Sequence, residues 1–190
     1  MEGLKLDYSF FPDLRDQLTI LHFYFPEIEA TNFENIPLYF PGFAFVNWKS
    51  IAKDYPTAVK KILSRISKDF EVNLLIDMEK IKREENFEVK EKVFWGNVKF
   101  FRNYSAKEAK EEIKKIKGFG LGIFEILCLI SILANFKKLP VIIAFVCIGD
   151  YHQKNDLIYH PCIHIVENRI CIYWRFERII EMECLIPIFI

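Results

Sequence analysis

The chain has 190 residues, of which 52% are hydrophobic and 27% are charged, and its 26 basic and 26 acidic side chains cancel. This composition predicts one folded domain over residues 1–190 rather than a disordered chain. Charge balance excludes a global field that attracts nucleic acid or an anionic membrane, so only a local patch would suggest nucleic acid. Five scattered cysteines without a C-x-x-C pair, and no signal-peptide pattern, favour a cytoplasmic location. The Ile, Phe, Lys and Glu content suggests a thermophilic source.

The first 50 residues or so are rich in aromatic side chains and interrupted by prolines, which predicts an irregular segment. Within it we expect a helix from Pro12-Asp13 to about Phe23 and a short strand over residues 43–48. The chain has 19 phenylalanines. Rings in such number can fill a core, or they can be exposed and support a homo-oligomer.

A second helix is predicted to begin at Asp54-Tyr55-Pro56, because proline is tolerated in a first turn. Alternating apolar residues then predict strands over 70–78, 87–94 and 98–102, while the charged run 79–86 predicts a loop. The pair Ser105 and Glu108 has the spacing of a capping box and predicts a helix that continues to Lys117. Gly118 is expected to end that helix in a left-handed conformation.

The most apolar stretch, residues 121–136, is shorter than the roughly 20 residues of a membrane span and contains Glu125. It therefore predicts a buried helix, followed by a central strand over residues 139–148. Residues 149–156 are predicted to be a polar loop, and residues 179–186 a last strand. Helices that alternate with groups of neighbouring strands indicate an α+β fold with a mixed, largely antiparallel sheet.

Residues 159–176 predict a β-hairpin, because two apolar runs flank the turn signal Glu167-Asn168-Arg169. With a two-residue loop, the odd-numbered residues of the first strand share a face with the even-numbered residues of the second strand. One face is then apolar and should join the core: Ile163, Ile165, Ile170, Ile172, Trp174 and Phe176. The other face is chemically unusual: His160, Cys162, His164, Cys171, Tyr173, Arg175 and Glu177.

This second face is a candidate metal site, because imidazole and thiolate are good zinc ligands. Strand spacing separates His160 from His164 by roughly 13 Å, too far to share one ion. The predicted ligands are therefore Cys162 and His164, with Cys171 or Tyr173 from the facing strand. The same groups could lower the pKa of Cys162 for thiol chemistry. They could also simply pack between the sheet and a helix.

A second candidate site consists of Asp77 followed by Glu88 and Lys90. An acidic residue near the end of one strand and Glu-x-Lys on the next resembles the pattern of restriction-endonuclease-like nucleases. The resemblance implies a magnesium ion held by the two carboxylates and a lysine that orients the attacking water. In that family the two parts lie on the second and third strands, whereas here they are predicted on the first and second.

A third candidate is the glycine-rich segment 118–122, which lies between two predicted helices. Glycine-rich turns before helices can bind phosphate. This one lacks the Lys-Ser/Thr pair of a P-loop and does not follow a strand, so a corner that lets two helices pack closely is favoured. Three classes of function stay open on the sequence: a small-ligand or metal-binding module, a magnesium-dependent nuclease, and an assembly subunit without chemistry of its own.

Overall fold

A computed structural model of the chain describes residues 13–28, 42–84, 89–137, 140, 142–180 and 184–190. Within these residues the chain forms four α-helices: α1 (Leu14–Tyr24), α2 (Tyr55–Ile66), α3 (Ala106–Ile116) and α4 (Ile123–Asn135). It also forms eleven strands: β1 (Phe43–Val46), β2 (Glu71–Leu74), β3 (Lys82–Arg83), β4 (Val93–Gly96), β5 (Val98–Arg102), β6 (Phe119–Gly120), β7 (Ile142–Val146), β8 (Asp150–Lys154), β9 (Leu157–Val166), β10 (Arg169–Phe176) and β11 (Cys184–Phe189).

Local capping signals start the first three helices where the sequence predicts. Asp13 accepts a hydrogen bond from the Asp16 backbone at the start of α1, and Asp54 accepts from the Thr57 backbone at the start of α2. Ser105 and Glu108 form the predicted capping box of α3. Each bond satisfies a backbone N–H that has no partner inside its helix. The predicted left-handed end of α3 is one residue out, because Lys117, with a φ of 56°, adopts it rather than Gly118.

The main sheet has the strand order β2-β10-β9-β7-β11-β5, and three further strands branch from it: β8 pairs with β9, β6 pairs with β11, and β3 pairs with β8. Most neighbours are antiparallel, whereas β2 with β10 and β7 with β11 are parallel. Strands β1 and β4 form a separate antiparallel pair. This is the predicted α+β fold with a mixed, largely antiparallel sheet.

The two faces of the sheet bury two different cores. Helices α1, α2 and α4 share one apolar cluster with Phe145 of β7, Ile163 of β9 and Ile172 of β10. Helix α3 shares a second, smaller cluster with Val146 and Cys162. Alternate residues of one strand thus face different layers, as the strand period of two requires.

The hairpin β9–β10 has one of the two registers that a two-residue loop allows. Val166 pairs with Arg169 around the two-residue turn Glu167-Asn168, and Glu167 adopts a φ of 54°. His164 lies opposite Cys171, and Cys162 lies opposite Tyr173. Four of the six residues predicted on the apolar face are fully buried, Ile163, Ile165, Ile170 and Ile172, whereas Trp174 and Phe176 are half-buried.

Several predicted boundaries are wrong, and the largest error lies in residues 149–156. Instead of a loop, this segment contains β8, which pairs with both β9 and β3. Its polar composition concealed it, because Asp150 is the only buried residue of β8 and the other four are half-buried or exposed. The last strand begins at Cys184, so Ile179 and Ile180 precede it and are exposed. The strand predicted over 70–78 ends at Leu74, and the one predicted over 87–94 forms over Val93–Gly96.

Helix α4 is the apolar segment considered above as a membrane span. It has 13 residues, and eleven of them are buried, including Glu125. Within the described residues, no helix is both long enough and apolar enough to cross a membrane.

Candidate functional site

Four side chains from four elements meet at the beginning of α4: Tyr55, Arg83, Glu125 and Asp150. The guanidinium of Arg83 donates to both carboxylate oxygens of Glu125, from Nη2 to Oε1 at 2.7 Å and from Nη1 to Oε2 at 3.0 Å. Its Nη1 also lies 3.4 Å from Oδ1 of Asp150. The Glu125 and Asp150 side chains are fully buried, and that of Arg83 is 13% exposed. This arrangement is a buried bidentate ion pair with a second carboxylate beside it.

Asp150 also holds the first turn of α4 in place. Its Oδ2 accepts from the Tyr55 hydroxyl at 2.6 Å and from the Ile123 backbone N–H at 2.7 Å. The Tyr55 oxygen accepts in turn from the Phe124 N–H, and Glu125 accepts from the Gly122 N–H. Three backbone donors that a helix start leaves unpaired are therefore satisfied inside the core. The carboxylates also lie at the positive end of the helix dipole.

Burial and mutual charge shift the pKa values of this cluster. Burial raises the pKa of Asp150 to about 6, against the opposing effect of Arg83. Burial and the neighbouring Asp150 raise the pKa of Tyr55 well above its usual value, so the phenol keeps its proton and donates it to the carboxylate. Burial alone would lower the pKa of Arg83, but Glu125 and the other neighbours raise it above its usual value.

His160 extends the cluster towards α3. It is fully buried, and its Nδ1 donates to the backbone carbonyl of Asp150 at 2.7 Å. Burial, and then the positive charge of Lys110, lower its pKa to about 3. The imidazole is therefore neutral at physiological pH, and its Nε2 has no hydrogen-bond partner among the described residues.

A cavity of about 110 Å³ lies between α3, β3 and the glycine-rich segment, and Arg83 forms part of its wall. We call it the α3 pocket. Three of its lining residues are cations and one is an acid: Arg83, Lys110, Lys114 and Glu84. The others are small or apolar: Ile113, Gly118, Phe119, Gly120, Ile148 and Gly149. The volume corresponds to a few water molecules, at about 30 Å³ each.

The two lysines of the α3 pocket are four residues apart on α3 and so project from the same side of the helix. Lys110 Nζ lies 2.5 Å from Oε1 of Glu84 and 5.6 Å from the centre of the Tyr151 ring. Lys114 is exposed and makes no ion pair with any residue that the structure describes. Glu84 is already paired with Lys110, so Lys114 gives the pocket a positive charge that its lining acid does not cancel.

Comparison with known proteins identifies no relative. No family model, curated protein or solved structure matches this chain significantly.

The residues predicted as metal ligands lie on one face of the sheet but in different surroundings. Cys162 is fully buried, whereas His164 and Cys171 are half-buried and directly opposite each other. Helix α3 covers the Cys162 end of this face, because Ala106 and Ala109 pack in the same cluster. Across the described ranges, no group of three or more His, Cys, Asp or Glu residues is arranged to hold a metal ion. Zinc binding by Cys162, His164 and Cys171 stays a prediction.

The thiol of Cys162 makes polar contacts with Cys184 and Tyr173 in the smaller cluster, which α3 covers. Contact with the Cys184 thiol, and then with Tyr173, lowers the pKa of Cys162 although the residue is buried. The guanidinium of Arg175 donates to Cys184 Sγ at 2.5 Å. Strand β7 separates the strands of the two cysteines, so their Cα atoms are about two strand spacings apart, roughly 9.6 Å. This exceeds the roughly 7 Å limit for a disulfide.

The predicted nuclease residues are only partly described. Asp77 is exposed, caps a short 3₁₀ turn through the Glu79 N–H, and pairs with Lys80 at 3.3 Å. Lys90 lies in an open groove beside Asn47, Lys49 and Lys92. Glu88 lies outside the described residues, so convergence of the three residues on a magnesium ion stays a prediction.

The glycine-rich segment connects α3 and α4, as predicted, and contains β6. The prediction that this segment lets two helices pack closely is wrong, because the backbone that lies against the segment is that of Gly149. Sequence reasoning did not identify Arg83 or Asp150, since both lie in charged stretches that resemble solvated loops. A signal was present, because Glu125 occurs in the first turn of a very apolar helix. A buried carboxylate there requires a cation from elsewhere in the chain.

The opposed pKa shifts of Asp150 and His160 predict a pH dependence of stability. Raising the pKa of Asp150 favours its neutral form, so its contribution to the free energy of unfolding falls as pH rises from 3.8 to about 6. Lowering the pKa of His160 to about 3 makes its contribution fall as pH decreases below 6.5. The two slopes, each at most about 1.4 kcal/mol per pH unit, should nearly cancel between about pH 5 and pH 6.

Urea unfolding across that range tests this prediction. The unmodified protein should show a nearly constant free energy of unfolding. The variant His160→Asn should become more stable as pH falls, and Asp150→Asn should become less stable. Parallel curves for both variants and the unmodified protein would show that neither group titrates as described.

Proposed function

We propose that this protein binds a small phosphate-bearing anion in the α3 pocket. The observation that carries the proposal is that Lys110 and Lys114 line one small cavity, walled by Arg83, in which Glu84 is the single acid among the described lining residues. Lysine and arginine are the usual cations for phosphate oxygens. A small cavity with local positive charge fits a compact anion better than an extended polyanion.

The wall of the α3 pocket formed by Arg83 is held rigidly, whereas the lysine side chains that line it can change conformation. Arg83 is fixed by its two hydrogen bonds to Glu125 and lies over the Tyr55 ring, with its Cζ 4.7 Å from the ring centre. Lys110 and Lys114 come from α3, and their flexible side chains can move onto a ligand. A preorganised wall lowers the entropy that binding costs.

The charges of the pocket indicate how an anion would be held. The charge of Arg83 is already offset by Glu125 and Asp150, so this residue mainly shapes the site. Lys110 would exchange its pairing with Glu84 for the ligand, and exposed Lys114 would add a second charge-assisted contact. Contacts of this kind contribute roughly 1.5–3 kcal/mol each when they are formed away from water.

Calorimetric titration with inorganic phosphate tests the proposal. Lys114→Ala should weaken phosphate binding about tenfold, which corresponds to about 1.4 kcal/mol. Lys115→Ala is the matched control, because it removes the same charge from the next residue of α3, where Lys115 pairs with Glu112. The control should change the dissociation constant less than about twofold. Equal losses in the two variants would indicate general charge attraction and would contradict a site at the pocket.

A further inference from the structure

An open groove on another part of the molecule carries three lysines and none of the residues of the α3 pocket. Its volume is about 480 Å³. One wall is the short 3₁₀ turn Trp48–Ser50 after β1, and the other is the segment 89–92 before β4. The lysines are Lys49 on the first wall and Lys90 and Lys92 on the second. We call it the lysine groove.

Asn47 fastens the two walls together. Its side-chain nitrogen donates to the backbone carbonyls of Val89 at 2.7 Å and Glu91 at 3.1 Å. Its backbone N–H donates to the carbonyl of Lys92 at 2.8 Å, and its side-chain oxygen accepts from the Lys49 N–H. All of these hydrogen bonds are to main-chain atoms. They therefore hold the backbone segments that carry the three lysines at a fixed separation across the groove.

The described lining of the lysine groove contains no acidic side chain. Glu91 is exposed but does not line the groove, although it lies between Lys90 and Lys92 in sequence. The three lysines make no ion pair with any residue in the described ranges. Three like charges on facing walls repel each other, and a linear polyanion along the groove would relieve that repulsion.

An aromatic ring lies beside these charges. Lys49 Nζ is 5.8 Å from the centre of the Trp48 ring, which is half-buried and packs edge-on against Tyr55. Basic grooves with a neighbouring aromatic side chain are typical of proteins that bind single-stranded nucleic acid without reading its sequence. We propose that the lysine groove binds the phosphodiester backbone of a single-stranded nucleic acid. This interaction is independent of the α3 pocket.

Fluorescence anisotropy with a labelled 12-nucleotide uridine strand tests this assignment in the full-length protein. Each phosphate neutralised contributes about −0.7 to the slope of log affinity against log salt, so three contacts predict a slope of about −2. Replacing Lys49, Lys90 and Lys92 together by alanine should weaken binding at least about tenfold and bring the slope close to zero.

The matched control replaces three lysines outside the groove, Lys60, Lys68 and Lys115, by alanine, which changes the net charge by the same amount. It should retain the affinity and the salt slope of the unmodified protein. Equal losses in both triple variants, or a groove variant that binds normally, would overturn the assignment. A 12-residue polyglutamate that binds more tightly than the uridine strand would also overturn it, since the groove would then fit an acidic peptide.

Discussion

Replacing Arg83 by methionine should lower the free energy of unfolding by about 3–5 kcal/mol. The substitution keeps most of the side-chain volume but leaves Glu125 and Asp150, both fully buried, without a cation. Burial removes the hydration of a carboxylate. Without a cation nothing compensates for that loss, so the folded state is destabilised relative to the unfolded chain. Urea unfolding at pH 7, followed by circular dichroism, measures the loss.

The control for Arg83 is an ion pair on the surface. Lys60 and Glu79 meet at 2.8 Å, but their side chains are 55% and 70% exposed. Lys60→Met should therefore change stability by less than about 1 kcal/mol. Adding Glu125→Gln to Arg83→Met should recover part of the loss, because an amide replaces one unpaired charge. A loss from Arg83→Met as small as that from Lys60→Met would show that the cluster is solvated.

The second large effect is expected at Gly149, where two backbone segments come into contact. A Cβ atom there would lie 2.4 Å from the carbonyl oxygen of Gly120, 2.8 Å from the nitrogen of Gly122 and 2.9 Å from the carbonyl carbon of Leu121. All three are main-chain atoms and cannot rotate aside. Gly149→Ala should therefore separate β8 from the start of α4 and cost about 3 kcal/mol or more.

Thermal unfolding of Gly149→Ala, with Ser64→Thr as control, measures this effect. Both substitutions add one methyl group, but Ser64 is on the exposed face of α2, where a change within about 0.5 kcal/mol is expected. The same variant should weaken phosphate binding, because Gly149 and Gly120 line the α3 pocket. Stability equal to that of the control would mean that the two segments are farther apart than described.

The starts of three helices and the turn of the hairpin could be predicted, because neighbouring residues determine them. Asp13, Asp54 and the pair Ser105–Glu108 start helices through bonds to residues three positions away. The turn at Glu167-Asn168 sets the register of its own hairpin. In each case the signal and the structure lie within a few residues, so no knowledge of the rest of the fold is required.

The buried cluster and the α3 pocket could not be predicted in this way. Arg83 meets Glu125 across 42 positions and Asp150 across 67 positions of sequence. In isolation Arg83 and Asp150 are charged side chains in polar stretches, and such side chains are most often solvated. Only the packing of β3 and β8 against the start of α4 removes them from water. The α3 pocket likewise combines residues far apart in sequence, since Glu84, Lys110 and Gly149 all line it.

Phosphate binding in the α3 pocket can be followed residue by residue in ¹H–¹⁵N correlation spectra of the labelled protein during titration with inorganic phosphate. Saturation is expected at a dissociation constant of about 1 mM or lower, since roughly 4 kcal/mol of binding free energy suffices for that affinity. We expect concentration-dependent shifts at the amides of Gly118, Gly120, Gly149, Lys110 and Lys114. In Lys114→Ala, the shifts at the other four residues should need about tenfold more phosphate to saturate. Shifts confined to other surfaces, or none up to saturating phosphate, would contradict phosphate binding in this pocket.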